Sequence, residues 1–476
     1  MPEATPLNPR QKSGPVSRSP HRPRLVVLGL DGLPYSTACR LCQAGHLPNL
    51  ARIALTPQAR PIRAELPELS PVNWTSFFTA AGPEEHGIFG FTTLDPQDYA
   101  IRFADFSQVR TRTLFDRLGD HGLTSRVVNL PNTYPARPIK GMLVSGFVAH
   151  DMNRAVFPPF LAHPLRSSGY VLEADTTRSG PDPGYLLEEL DRALRGRRAA
   201  LNLLWPDLAW DLFVFVLTET DRLGHFLFPA LENPAHPWHG PSLDFLGRWD
   251  ELVGDVLERF AALPEPKRLL VLADHGFTSL TMEVDLNAWL REQGLLVTDG
   301  PPRHELDAGI ISTQSRAFAL DPGRIYLHTS RFGRGRVTPD EAASLEERIR
   351  AGLTRLEWQG RPVIRDVLSW RDIYPERTPE RTLDISARET SPSGPAIPDL
   401  VCVPHRGFSL RAKFDQARVF GKEDRQGCHT PDDAFFYDSE TAIAESDTHS
   451  GPIRVRDVGR LVLEHFGVDR KLILSR

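Results

Sequence analysis

Only four cysteines occur in 476 residues, too few for a disulfide framework in a chain of this length, and the expectation is a reducing, cytoplasmic setting. Long apolar runs are missing as well. The longest, LVVLGL at 25–30 and LFVFVL at 212–217, span six residues, far short of the roughly 20 that cross a bilayer, and they read as buried strands. No surplus of positive charge is present: 56 Lys and Arg stand against 61 Asp and Glu, so nothing calls for a nucleic-acid polymer or a membrane surface as partner. GxxxxGK[ST] and GxSxG are both absent, which argues against a P-loop nucleotidase and an α/β-hydrolase. His304-Glu305 does not continue to HExxH, because position 308 is Ala. Cys39 and Cys42 have no second CxxC to complete a metal site and are expected to pack inside a helix.

What is there is an alternation. β-branched apolar runs at 25–30, 125–130, 142–148, 212–217 and 268–273 are separated by helical patterns, the clearest being Leu243, Leu246, Trp249, Leu252, Val253, Val256, Leu257 and Phe260. This predicts an α/β fold with a mainly parallel sheet sandwiched by helices. Residues 1–23, rich in proline and poor in large apolar side chains, are expected to form a disordered tail. The core is expected to run over 24–300, to be interrupted by an inserted α+β cap at 301–394, and to resume over 395–476 with PDLVCVP as a buried strand. Inside the cap, Thr338, Pro339 and Glu341 sign a helix start.

Polar residues cluster where strands end, the edge of an open α/β sheet at which ligands bind. LVVLGLDG places Asp31 there; LFVFVLTETDRLGH places Asp221 and His225 four residues apart, on one helix face; RLLVLADHGF places Asp274 and His275 side by side. Singly, each reads equally well as a capping Asp or a satisfied His. Together they offer carboxylates and imidazoles to divalent metals of borderline softness, and His429 in RQGCHTPDD adds one more imidazole from a loop entering a strand. Ser70 in ELSPVNWTSFFTA stands at the mouth of a helix beginning near Val72, where a hydroxyl faces the positive end of the dipole. Thr75 and Ser76 are rival nucleophiles. His86 is expected to be structural or to support the site, and His236 and His239 to lie in a surface loop. Arg331, Arg334 and Arg336 either grip a second acidic group or form solvated surface.

The order Asp, Ser, Asp-x-x-x-His, Asp-His, His, with the strings LGLDG, SPVNWTSF, HGIFGF, TETDRLGHFLF and ADHGF, resembles the alkaline phosphatase superfamily. The wording is similar to its type I phosphodiesterase/nucleotide pyrophosphatase branch and its phosphohydrolase/phosphomutase group, over roughly residues 25–440. The resemblance implies two divalent ions, zinc first and manganese second: one held by Asp31, Ser70, Asp274 and His275, the other by Asp221, His225 and His429. Ser70 is then the nucleophile and Asn73 the residue that binds a phosphate oxygen. Two positions depart from the family: Ala80 replaces its usual Gly, tolerable where no positive φ is needed, and Ser70 stands where diesterases of this branch commonly carry Thr. A sulfatase is disfavoured, because Ser70-Pro71-Val72 lacks the CxPxR-like context. The implied activity is hydrolysis of a small-molecule phosphate ester through a phosphoserine. A phosphomutase or phosphotransferase, and a phosphate-ligand binder without turnover, are the alternatives.

Overall fold

The computed structural model describes residues 22–373, 397–440 and 452–468. Most of the expected 1–23 tail, and the last part of the expected cap, lie outside the described residues. The central sheet has eight strands in the order Ala59–Ile62, Ala434–Asp438, Lys267–Leu272, Arg24–Leu30, Leu212–Leu217, Ser125–Leu130, Gly141–Ser145 and Val156–Phe157. From Lys267–Leu272 to Gly141–Ser145 the neighbours run parallel. Strands covered on both faces read as continuous apolar runs, and LFVFVL is buried at every position. The α/β expectation holds.

Helices cover the sheet. His239–Ala261 turns Leu246, Trp249, Leu252, Val253 and Val256 inward, the face its spacing predicted. Helix Ser70–Thr79 is buried throughout and packs against Val455–His465. The two backbones meet so closely that a Cβ on Gly459 would lie 2.1 Å from the carbonyl oxygen of Phe77. Gly459→Ala therefore destabilises the chain by roughly 1–3 kcal/mol, read as a lowered urea midpoint, since overpacking outweighs alanine's better helix propensity. An unchanged midpoint would mean the helices separate freely. Ala80 ends helix Ser70–Thr79 with φ +54°, so the position is left-handed and alanine is strained there.

A second unit sits over the carboxyl edge of the sheet. Its four-stranded sheet has the order Ala317–Leu320, Arg324–Leu327, Leu400–Pro404, Ile364–Ser369, and helix Pro339–Thr354 covers it, capped by Thr338 and Glu341 as anticipated. Beside it Met282–Asp285 pairs with Phe408–Arg411 and Phe420–Gly421. Two boundaries differ from expectation. Leu400–Pro404 does not rejoin the core but pairs with Arg324–Leu327 and Ile364–Ser369, and the chain returns to the central sheet only at Ala434–Asp438. Met282–Asp285 already belongs to the second unit before residue 300. A short buried run announces a strand without naming its neighbour, and pairing across long stretches of chain decides the sheet. No helix among the described residues is long and apolar enough to cross a membrane.

Candidate active site

Asp31 follows strand Arg24–Leu30, Asp221 follows Leu212–Leu217 and Asp274 follows Lys267–Leu272, so three adjacent parallel strands deliver carboxylates to one edge. Gly32 permits this crowding. Its φ of +67° turns its N–H onto Asp274 Oδ1 at 3.1 Å, and a Cβ there would press on Asp221 at 3.1 Å. Asp221 and His225 share a face of helix Glu219–Glu232. His429 lies within strand Gly427–Thr430, paired opposite Phe277, rather than in a loop.

These side chains converge. His429 Nε2 is 3.1 Å from Asp221 Oδ1 and 3.1 Å from His225 Nε2, and His225 Nε2 is 3.4 Å from the same Asp221 oxygen. His275 Nε2 lies 3.3 Å from Asp274 Oδ2, 3.8 Å from Asp221 Oδ1 and 3.9 Å from Asp31 Oδ1. Ser70 Oγ is 3.2 Å from His275 Nε2 and 3.4 Å from Asp31 Oδ1. Two groups of potential ligands result: Asp221, His225 and His429, as the resemblance implied, and Asp31, Asp221 and His275. Asp221 is common to both, which departs from the expected partition.

The donor set fits metal ions. His429 Nδ1 lies 2.9 Å from the Glu68 carbonyl and His275 Nδ1 lies 3.0 Å from the Gly276 carbonyl. A carbonyl only accepts, so each Nδ1 carries the proton and each Nε2 presents a lone pair. Those lone pairs face carboxylate oxygens, which also only accept, and Asp274 Oδ2 is buried without a hydrogen-bond partner. Acceptors outnumber the protons available to join them, and a cation resolves the conflict. The electrostatics agree. Burial, then Asp274 and Asp221, raise the Asp31 carboxyl well above its ordinary range. Burial and Asp221 push Asp274 up to about 6. Burial raises Asp221 as well, yet that carboxyl is held well below its usual range, with the charged Arg222 guanidinium bonded to its Oδ2. All three imidazoles are lowered, chiefly by burial, so they stay neutral and able to ligate.

Ser70 opens helix Ser70–Thr79, whose N-terminus no side chain caps. The rival hydroxyls face elsewhere: Thr75 Oγ1 accepts from Asn132 Nδ2 at 2.8 Å, and Ser76 Oγ donates to the Val72 carbonyl at 2.9 Å. Asn73 does not face the cluster. It is fully buried, its Oδ1 accepts from Glu65 N at 2.6 Å and its Nδ2 donates to the Leu69 carbonyl at 3.1 Å, so the amide braces the loop before Ser70. Asparagine beside a helix start serves either end, and the backbone of 65–69 lay nearer. Three partners escaped sequence reasoning. Trp74 Nε1 donates to Asp31 Oδ2 at 3.0 Å, Thr220 Oγ1 donates to the Asp31 carbonyl at 2.6 Å, and Arg222 bonds Asp221 Oδ2 while pairing with Glu173 at 3.2 Å. Trp74, one turn after Ser70, was the one detectable signal.

His86 proves structural. Its Nδ1 accepts from Ile88 N at 3.1 Å, so Nε2–H donates to Ser76 Oγ at 2.9 Å. Burial, then Arg456, holds the imidazole well below its usual range. The unfolded chain therefore takes up a proton near pH 6.5 that the folded chain refuses, and stability falls as the pH drops below that value. Between pH 7.5 and 5.5 the wild type loses roughly 1 kcal/mol more than His86→Gln in urea titrations; parallel losses would show that His86 is not held neutral.

A cleft of about 450 Å³ opens from Ser70, Asp221, His225 and His429, past Phe147, to Arg411 of the second unit. Bare phosphate would leave most of it unfilled. The arginine loop takes no part: Arg331 pairs with Asp399, and Arg334 lies 4.1 Å over the Tyr99 ring and donates to the Gly309 carbonyl.

Residues 25–432 match the family described as type I phosphodiesterase/nucleotide pyrophosphatase. The chain belongs to this family. It is thus a member of the alkaline phosphatase superfamily and a phosphoric-ester hydrolase. Among solved structures, phosphonoacetate hydrolase from Sinorhizobium meliloti 1021 in complex with phosphonoformate is similar at 15% identity and a TM-score of 0.59, covering 94% of this chain and 96% of that one. Murine ectonucleotide pyrophosphatase/phosphodiesterase 5, in an inactive form with AMP, is similar at 12% identity and a TM-score of 0.51, covering 94% and 95%. Both likenesses concern the fold. No curated protein matched the chain.

Proposed function

We propose that the chain is a two-metal phosphodiesterase working through Ser70 on a small-molecule substrate. One observation carries the reading: the Ser70 hydroxyl, at an uncapped helix N-terminus, touches a buried cluster whose lone pairs call for cations. Asp221, His225 and His429 would hold one ion, and Asp31, Asp221, Asp274 and His275, with Ser70, the other. Zinc, or failing that manganese, would supply Lewis acidity and a lowered pKa for the serine hydroxyl.

The chain's own groups do the rest. Ser70, its proton surrendered to solvent, forms a bond from Oγ to phosphorus while the bond to the leaving oxygen breaks on the opposite face, and that oxygen takes a proton from water. The N-terminal dipole of helix Ser70–Thr79 favours the negative phosphoryl group throughout. Water then attacks the phosphorus of the Ser70 adduct, which still carries the second ester substituent, freeing Ser70 and a phosphomonoester. The cleft's size leaves room for organic groups beyond the phosphate, which is compatible with the two substituents of a diester. All four cysteines are free, which supports the cytoplasmic setting.

The test is turnover of bis-p-nitrophenyl phosphate and p-nitrophenyl phosphate with zinc or manganese added. Faster cleavage of the diester is expected. If neither ester turns over while metal is bound, simple hydrolysis is not the task, and transfer to an acceptor hydroxyl takes its place.

A further inference from the structure

Loop 65–69, which leads into Ser70, is held from an unexpected side. Glu65 is fully buried and its carboxylate is gripped by Arg456, from the first turn of helix Val455–His465, with Nε 2.6 Å from Oε1 and Nη2 bonded to Oε2. Arg454 approaches the same carboxylate at 3.5 Å, and Arg456 Nη1 reaches Glu84 at 3.2 Å. The backbone of Glu65 is tied to Asn73 inside helix Ser70–Thr79. Three residues on, the Glu68 carbonyl accepts from His429 Nδ1 and so fixes both the tautomer and the ring direction of that imidazole. One short loop thus carries the nucleophile at its end and orients a metal ligand on the way.

We infer that Arg456 and Glu65 are positioning residues: their ion pair fixes loop 65–69 and, through it, sets Ser70 Oγ and His429 Nε2 relative to one another. This rests on the proposed roles of Ser70 and His429. A bidentate guanidinium–carboxylate pair suits the task, because two parallel bonds fix direction as well as distance. Lysine, a point charge, restores only part of it.

Arg456→Met, Arg456→Lys and the isosteric Glu65→Gln test the inference in the metal-loaded full chain. For both Arg456→Met and Glu65→Gln, kcat for bis-p-nitrophenyl phosphate falls roughly 10- to 100-fold with KM nearly unchanged, since misplaced reacting groups, not lost substrate contacts, are responsible. Arg456→Lys falls between these variants and the wild type. Independently of activity, cobalt(II) titrated into the metal-free chain and followed by its visible absorption binds one of its two sites roughly 10-fold more weakly. Arg268→Met is the control: it breaks another buried pair, to Asp438 at 2.6 Å, at the sheet's opposite edge, and lowers stability while leaving kcat unchanged. Should folded Glu65→Gln or Arg456→Lys protein show wild-type kcat and a wild-type cobalt titration, the inference fails while the hydrolase reading stands. If the wild type cleaves no ester, that reading fails, and the cobalt titration still decides whether the loop orients His429.

Discussion

Replacing Ser70 with alanine lowers turnover by roughly a thousandfold or more while the chain stays folded and keeps its metals. The hydroxyl is placed for chemistry rather than for stability. It sits at the first position of helix Ser70–Thr79, between His275 Nε2 and Asp31 Oδ1, and is nearly inaccessible except through the cleft. Alanine there removes one oxygen and no packing, and the other side chains of the cluster remain. The measurement is kcat on the preferred ester together with metal content per chain. Thr75 and Ser76 provide the contrast. Their hydroxyls serve Asn132 and the Val72 carbonyl inside the core, so Thr75→Val and Ser76→Ala cost stability while the folded fraction keeps its turnover. Near-normal activity in Ser70→Ala would remove serine from the mechanism.

Asp221→Asn has the second large effect: both metal ions are lost, not one. A single oxygen, Oδ1, lies within 3.1 Å of His429 Nε2, 3.4 Å of His225 Nε2 and 3.8 Å of His275 Nε2, so it belongs to both groups. The other oxygen is held by Arg222, which keeps Oδ1 turned to the imidazoles. Removing this charge weakens both sites by at least about a hundredfold in affinity, whereas His275→Ala weakens chiefly the site shared with Asp31. Arg222 retains Glu173 as a partner, so the substitution does not strand a buried cation. Elemental analysis after dialysis against a fixed free zinc concentration reads the result. An Asp221→Asn chain that keeps one full equivalent of zinc would assign Asp221 to a single site, as the resemblance first implied.

What could be read in the sequence follows from locality. Leu25–Leu30 and Leu212–Leu217 announce buried parallel strands because both faces are apolar, and a polar residue just past each lands on the ligand-binding edge whatever the rest of the chain does. His429 could be named as a further imidazole but not placed, since nothing in RQGCHTPDD shows that its strand pairs with Gly276–Ser279 and brings it to Asp221. Leu400–Pro404 was misplaced for the same reason: its side chains require burial, and either sheet provides it. Asn73 shows the limit at atomic scale. An amide near the proposed nucleophile satisfies the phosphate-binding expectation as readily as it braces a loop, and only the backbone geometry at Glu65 and Leu69 separates the two. Arg222, Thr220 and Arg456 bear on the site through contacts across the fold that local sequence does not encode.

The most direct test of the central claim is to mix the zinc-loaded chain with excess diester, quench in acid within the first turnover, and locate the phosphoryl group by peptide mass spectrometry. The expected result is one added phosphoryl group, still carrying the diester's second substituent, on the peptide containing Ser70, assigned to Ser70 itself and absent from Ser70→Ala. Product released in a full first turnover with no phosphorylated peptide at any quench time would mean that water attacks the substrate directly, and would contradict it.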